Sequence, residues 1–163
     1  MSDGSRTFVW HDLATKDVNA AVDFYGALFG WETEDHAAGG GPYKMIRSGG
    51  KEHGGIMAST PGMPSCWMGY VKVDDVDAVA DRAGEAGGKI YMPPTDMPNV
   101  GRMAVIADPT GGMLSAIKLN DAGEPCAEGP PPAGRFCWTS CSRRTSPRRK
   151  TSTQASSAGR RRT

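Results

Sequence analysis

Residues 17–22, Asp17-Val18-Asn19-Ala20-Ala21-Val22, resemble residues 75–80, Asp75-Val76-Asp77-Ala78-Val79-Ala80, at an offset of 58 positions. The same offset carries Gly30 onto Gly88. Two copies of one supersecondary unit are therefore expected. Working outward, each copy is preceded by a segment with strand-like alternation and β-branched or aromatic content, FVWHDLAT at 8–15 and WMGYVKV at 67–73. Within the first copy Val18, Ala21, Val22, Tyr25, Leu28 and Phe29 recur at helical spacing, with Thr15 or Asp17 to cap the start and Gly30 to stop the helix. In the second, Val76, Val79, Ala80, Ala83 and Ala86 form the stripe, Asp74 can cap, and Gly87-Gly88 ends it. About thirty residues broken by Gly and Pro follow each helix, which leaves room for three short antiparallel strands. The last of these hairpins is RMAVIAD, a Pro109-Thr110-Gly111-Gly112 turn and MLSAIKL; its first-copy counterpart is GGIMAST at 54–60. The predicted fold is α+β, two βαβββ modules at about 7–60 and 66–119.

Composition bounds what such a domain can do. The chain has 163 residues and is 38% hydrophobic, enough for one core but not two, so residues 1–120 are read as one domain. Residues 139–163 hold eight of the nineteen Lys and Arg and none of the eighteen Asp and Glu, which leaves the body eleven cations against eighteen anions, a net charge of −7. An acidic body repels nucleic acid and anionic lipid, so neither is an expected partner. Cys66, Cys126, Cys137 and Cys141 form no C-x-x-C pair and are expected to be free thiols. No signal-like or membrane-length apolar stretch is seen, so a cytoplasmic protein is expected.

Two βαβββ modules, the segment DFYGALFGW at Asp23–Trp31 and the closing ADPTGG at Ala107–Gly112 together resemble the vicinal-oxygen-chelate (glyoxalase/bleomycin-resistance/dioxygenase) superfamily over residues 7–119. Within it, the pattern is similar to a glyoxalase-like subgroup with two such domains in one chain. The resemblance implies that the modules curl into a half-barrel around a cavity, helices outside, where a divalent metal commonly holds vicinal oxygens of the substrate. It also implies where ligands would stand: seven residues before the Asp that opens each helix, and four after the Gly of D-P-x-G. Those positions are Trp10, Met68 and Ser115, and the offset of 58 returns Met57 for the first module. Indole, thioether and a lone hydroxyl are poor donors to a hard divalent ion, so no metal and no cofactor are expected. Because strand residues alternate faces, His11 should point to the helix side while Trp10 and Asp12 point into the cavity. His36 and His53 fall in Gly-rich segments and are expected on the surface.

What the resemblance leaves is a cavity lined by Trp10, Asp12, Met68, Tyr70 and Ser115, suited to a small organic ligand. The plain alternative is that these side chains only pack the half-barrel. Asp12 is the candidate general base or ligand anchor; otherwise it is an exposed carboxylate at the barrel mouth. Whether the protein is an enzyme stays open at this point: a metal-free ligand-binding domain, a metal-dependent lyase or extradiol dioxygenase, and a truncated remnant all fit, with a homodimer able to cover surface left bare.

Residues 121–135 read as a Gly/Pro-rich linker and residues 136–163 as a disordered basic tail without apolar periodicity. Phe136-Cys137-Trp138 nevertheless echoes Phe8-Val9-Trp10. Rereading the tail's codons one nucleotide earlier permits Asp-Phe-Tyr from Thr151-Ser152-Thr153 and Leu-Phe-Gly-Trp from Ser156-Ser157-Ala158-Gly159, at the spacing of Asp23–Trp31. A second domain of the same kind, its opening scrambled by a frameshift near Thr139, is the expectation that follows.

Overall fold

The computed structural model describes residues 7–38, 41–120, 133–136 and 139; the rest of the linker at 121–135 and of the tail at 136–163 lies outside the described residues. Its elements are β1 (Phe8–Thr15), α1 (Val18–Phe29), β2 (Glu32–Ala38), β3 (Gly41–Ser48), β4 (Lys51–Ala58), β5 (Cys66–Lys72), α2 (Val76–Glu85), β6 (Lys89–Met97), β7 (Gly101–Ala107) and β8 (Met113–Leu119). This is βαβββ twice, in one open, curled eight-stranded sheet of order β2-β3-β4-β1-β5-β8-β7-β6. The two opening strands pair antiparallel at the centre, and each runs parallel to the last strand of its own module. The fold class is the one expected, α+β with a mixed sheet.

Both helices lie on one face of that sheet. Leu13, Ile46 and Ile56 pack with Val18, Ala21, Val22 and Tyr25 of α1, while Ala104 and Ala116 pack with Val76 and Ala80 of α2. Strand alternation then sends Trp10, Asp12, Tyr43, Gly55, Met68, Tyr70 and Ser115 to the opposite, helix-free face.

The helices begin and end where local chemistry dictates. Asp17 sits in extended conformation and its carboxylate accepts from the Ala20 amide, while Gly30 adopts the left-handed conformation (φ 67°) that closes the last turn. For α2 the cap is Asp75, not Asp74, and its Oδ1 accepts from the Ala78 amide at 3.0 Å. Asp75→Ala is expected to cost about 1 kcal/mol, read as a lower urea midpoint at unchanged slope.

The two modules drift out of step along their length. Asp12 pairs with Gly55 and Tyr70 with Ser115, so the internal offset is 58 in the opening strands and 60 in the closing ones. Two register shifts in β6, between Ile90 and Met92 and between Met92 and Thr95, supply most of the difference, since each adds an unpaired residue.

Candidate functional site

Asp12 is the centre of the helix-free face. Only 5% exposed, it is paired across the sheet with Gly55 on one side and Met68 on the other. Trp10 Nε1 donates to its Oδ1 at 2.9 Å, and Tyr43 Oη donates to the same oxygen at 2.6 Å. The indole N–H also lies 2.9 Å from Tyr43 Oη, which closes a triangle of three polar groups. Tyr70, directly opposite Trp10 in the β1–β5 pair, stands close enough for its hydroxyl to lower the Asp12 pKa as well.

The electrostatics follow from this burial. Removal from water pushes the Asp12 carboxyl above the ordinary range, while the donors Tyr43, Tyr70 and Trp10 pull the other way. Burial, and then the charge of Asp12, raise both tyrosine hydroxyls well above their usual value, so they stay protonated and act as donors. A carboxyl so placed can hold a proton at higher pH than a surface aspartate and can pass it to, or take it from, a group brought to it.

Gly55 makes the arrangement possible. A Cβ added there would overlap Tyr43 Oη, so the phenol crosses the strand through the space that every other residue type would fill. Sequence reasoning named Trp10, Asp12 and Tyr70, which converge here, and Met68, which is Asp12's cross-strand neighbour. It also named Ser115, which stands beside Tyr70 but whose hydroxyl donates to the Ala104 carbonyl at 3.0 Å. Tyr43 was missed; a glycine in mid-strand opposite a buried carboxylate was the signal available.

The register corrects one family-implied position. The residue equivalent to Ser115 in the first module is Gly55, not Met57. The four positions from which a metal would be held are thus Trp10, Gly55, Met68 and Ser115. One hydroxyl, already engaged, is the whole hard-donor complement, and such a set does not fit a divalent ion. Among the described residues no three His, Cys, Asp or Glu side chains stand together as a metal-binding group.

His11 lies on the helix side, and the structure gives it company that the sequence did not suggest. Phe8 and Phe136 both stack on its ring, at centroid separations of 5.9 and 4.1 Å, and its Nε2 shares a 2.7 Å hydrogen bond with Thr139 Oγ1. His53, expected on the surface, stands in β4 with both ring nitrogens buried and unpartnered, edge-on to Trp31 and Phe136. Burial lowers the pKa of both imidazoles. His36 is exposed in β2, as expected. A surface groove of about 440 Å³ between the β6–β7 turn and the end of β8 is lined by Met97, Asn99, Arg102 and Lys118 among others, away from Asp12.

Comparison with known proteins places these features. The Glyoxalase/Bleomycin resistance protein/Dioxygenase superfamily model matches residues 7–115. The protein named "Putative glyoxylase CFP32" of Mycobacterium tuberculosis (strain CDC 1551 / Oshkosh) is 42% identical over 117 residues, 68% of this chain and 45% of that one. The anthracycline biosynthesis protein DnrV of Streptomyces peucetius is 40% identical over 124 residues, 65% and 44% of the two chains. The chain thus spans less than half the length of these relatives. Among solved structures, a methylmalonyl-CoA epimerase complexed with methylmalonyl-CoA and NH4+ superposes with a TM-score of 0.52 at 19% identity, covering 74% of this chain and 100% of that one. A variant of homoprotocatechuate 2,3-dioxygenase from B. fuscum gives 0.50 at 15% identity, covering 70% and 32%. At such identities the likeness speaks for the fold alone.

Proposed function

The chain belongs to the Glyoxalase/Bleomycin resistance protein/Dioxygenase superfamily, and from that membership we propose that residues 7–119 bind a small, flat organic molecule against the helix-free face, without a metal, with Asp12 as polar anchor and candidate proton acceptor. The observation that carries this reading is the buried Asp12 carboxylate held by Trp10 and Tyr43 where strands β1, β3 and β4 meet. Aromatic rings and the Met68 thioether offer contact area to a planar ligand, and Asp12, Tyr43 and Tyr70 offer a few fixed polar contacts. Family relatives that use a metal need donors which Trp10, Gly55, Met68 and Ser115 lack. The name of the Streptomyces peucetius relative, an anthracycline biosynthesis protein, favours polycyclic phenols as the first ligands to try.

We further propose that residues 121–135 are a linker and that 136–163 preserve, in a shifted frame, the start of a second domain of this family. The matched region fills only 45% and 44% of those relatives, which leaves room in each for a second domain of this size. Nucleotide sequencing through codons 136–163 tests this, since the alternative frame must spell a domain that aligns with residues 8–31.

Ligand binding is tested by thermal unfolding of the purified chain with polycyclic phenols and, separately, with Mg²⁺, Mn²⁺, Ni²⁺ and Zn²⁺. A ligand at 100 times its Kd should stabilise the fold by about 2.7 kcal/mol, and the metals should leave the midpoint in place. One tightly held equivalent of a divalent ion in metal analysis would overturn the metal-free reading.

No helix among the described residues is long and apolar enough to cross a membrane.

A further inference from the structure

Asp12 is only 5% exposed, so a molecule reaches its carboxylate only when a neighbour moves aside. Tyr70, on central strand β5, is buried and has little room to do so. Tyr43 is placed differently. It is half-buried, on the strand next to the sheet's edge, and the end of its ring lies over Gly55, where no side chain fills the space beneath it.

The Tyr43 hydroxyl donates to Asp12 Oδ1 at 2.6 Å and accepts from Trp10 Nε1 at 2.9 Å. One donor and one lone pair are what any phenol can offer, so a phenol is already bound at Asp12, and it is the protein's own. Met45 pairs with Gly55 and Met57 with Tyr43, which puts both thioethers on the face where that ring lies. Such side chains adapt to rings of different outline. When the ring swings out, it leaves a slot shaped for one phenol, with the Asp12 acceptor and the Trp10 donor still held on β1.

We infer that Tyr43 is a movable stopper, an internal ligand that a phenol from solution displaces, and that the slot over Gly55 selects molecules ending in an unhindered phenolic hydroxyl. This rests on Asp12 being the polar anchor, and it makes Tyr43 a contact that the ligand replaces. The apparent affinity is then the intrinsic one multiplied by the fraction of molecules whose slot stands open. Two roles for the Tyr43 hydroxyl therefore differ in sign. A residue that holds the ligand weakens binding when its hydroxyl is removed, whereas a stopper without its hydroxyl is easier to displace, and binding tightens.

Calorimetric titration with p-cresol, the tyrosine side chain as a free molecule, reads that sign. Tyr43→Phe keeps the ring and so the packing, and is expected to bind p-cresol about tenfold or more tightly than wild type, because one hydrogen bond to a charged group no longer holds the slot shut. Toluene, which offers no hydroxyl, should bind Tyr43→Phe about tenfold more weakly than p-cresol does. Binding of p-cresol to Tyr43→Phe that is equal to or weaker than wild type would overturn the stopper and leave Asp12 standing as the anchor. Toluene binding as well as p-cresol would overturn it too, since the hydroxyl's place would not have been taken. A gain at Tyr43→Phe that survives Asp12→Asn in the same chain, or p-cresol ignored by every chain, would remove the anchor and the stopper with it.

Discussion

Asp12→Asn is expected to raise stability at pH 7 and to weaken ligand binding, and the stability difference should vanish in acid. The native carboxyl titrates above the unfolded one because burial disfavours its charge. Once pH climbs past the unfolded value of 3.8, the unfolded chain releases a proton that the native chain retains, and native stability falls until the raised native pKa is passed. Asparagine has no proton to lose and its Oδ1 still accepts from Trp10 and Tyr43, so the variant escapes that fall. The gain at pH 7 should be on the order of 1 kcal/mol, growing from near zero at pH 3. Binding moves the other way: loss of a hydrogen bond to a charged group weakens a phenolic ligand by roughly ten- to a hundredfold. Urea titrations at several pH values and calorimetry on the same variant measure both. If Asp12→Asn proved less stable than wild type at pH 7, by a margin that shrinks toward pH 3, the three donors would outweigh burial and the carboxylate would be held for structure.

Much of this arrangement was legible in the sequence because it is carried by local rules. Asp17 and Gly30 cap a helix by their own conformational preferences, and Phe8–Thr15 alternates so plainly that Trp10 and Asp12 could be put on one face and His11 on the other. The turn at Asp108 is equally local: its Oδ1 takes the Thr110 and Gly112 amides, and Gly111 supplies the positive φ. What escaped was set by register. A repeat offset read from helix caps does not survive the shifts in β6, so the last-strand position fell on Met57 when the pairing selects Gly55. Tyr43 escaped for the same reason, since β3 follows a Gly-rich break and only its pairing with Met57 and approach to Asp12 reveal its face. His53 is half-buried with both ring nitrogens out of water, and Phe136, more than eighty positions away, stands edge-on to it. No spacing rule within a module could have indicated that contact.

Gly55→Ala tests the register directly, and its effect should depend almost wholly on one other residue. The backbone at Gly55 is ordinary strand, so alanine is not barred by its φ; the obstacle is the Tyr43 phenol, whose Oη, Cζ and Cε2 occupy the place the new methyl would take. A ring end can swing away, but doing so breaks its bond to Asp12 and leaves the carboxylate one donor short. Overpacking of this kind costs about 1–3 kcal/mol, and a lost hydrogen bond to a charged group adds roughly 1.5–3. In a Tyr43→Ala background the methyl meets empty space, so there Gly55→Ala should cost less than about 0.5 kcal/mol. The double-mutant cycle therefore yields a coupling of roughly 2–6 kcal/mol between residues whose side chains, in the wild type, amount to one phenol and a hydrogen atom. Equal costs of Gly55→Ala in the two backgrounds would show that the phenol does not cross the strand at Gly55. Asp12 would then lack its shortest hydrogen bond, and the polar cluster on the helix-free face would have to be rebuilt around Trp10 and Tyr70 alone.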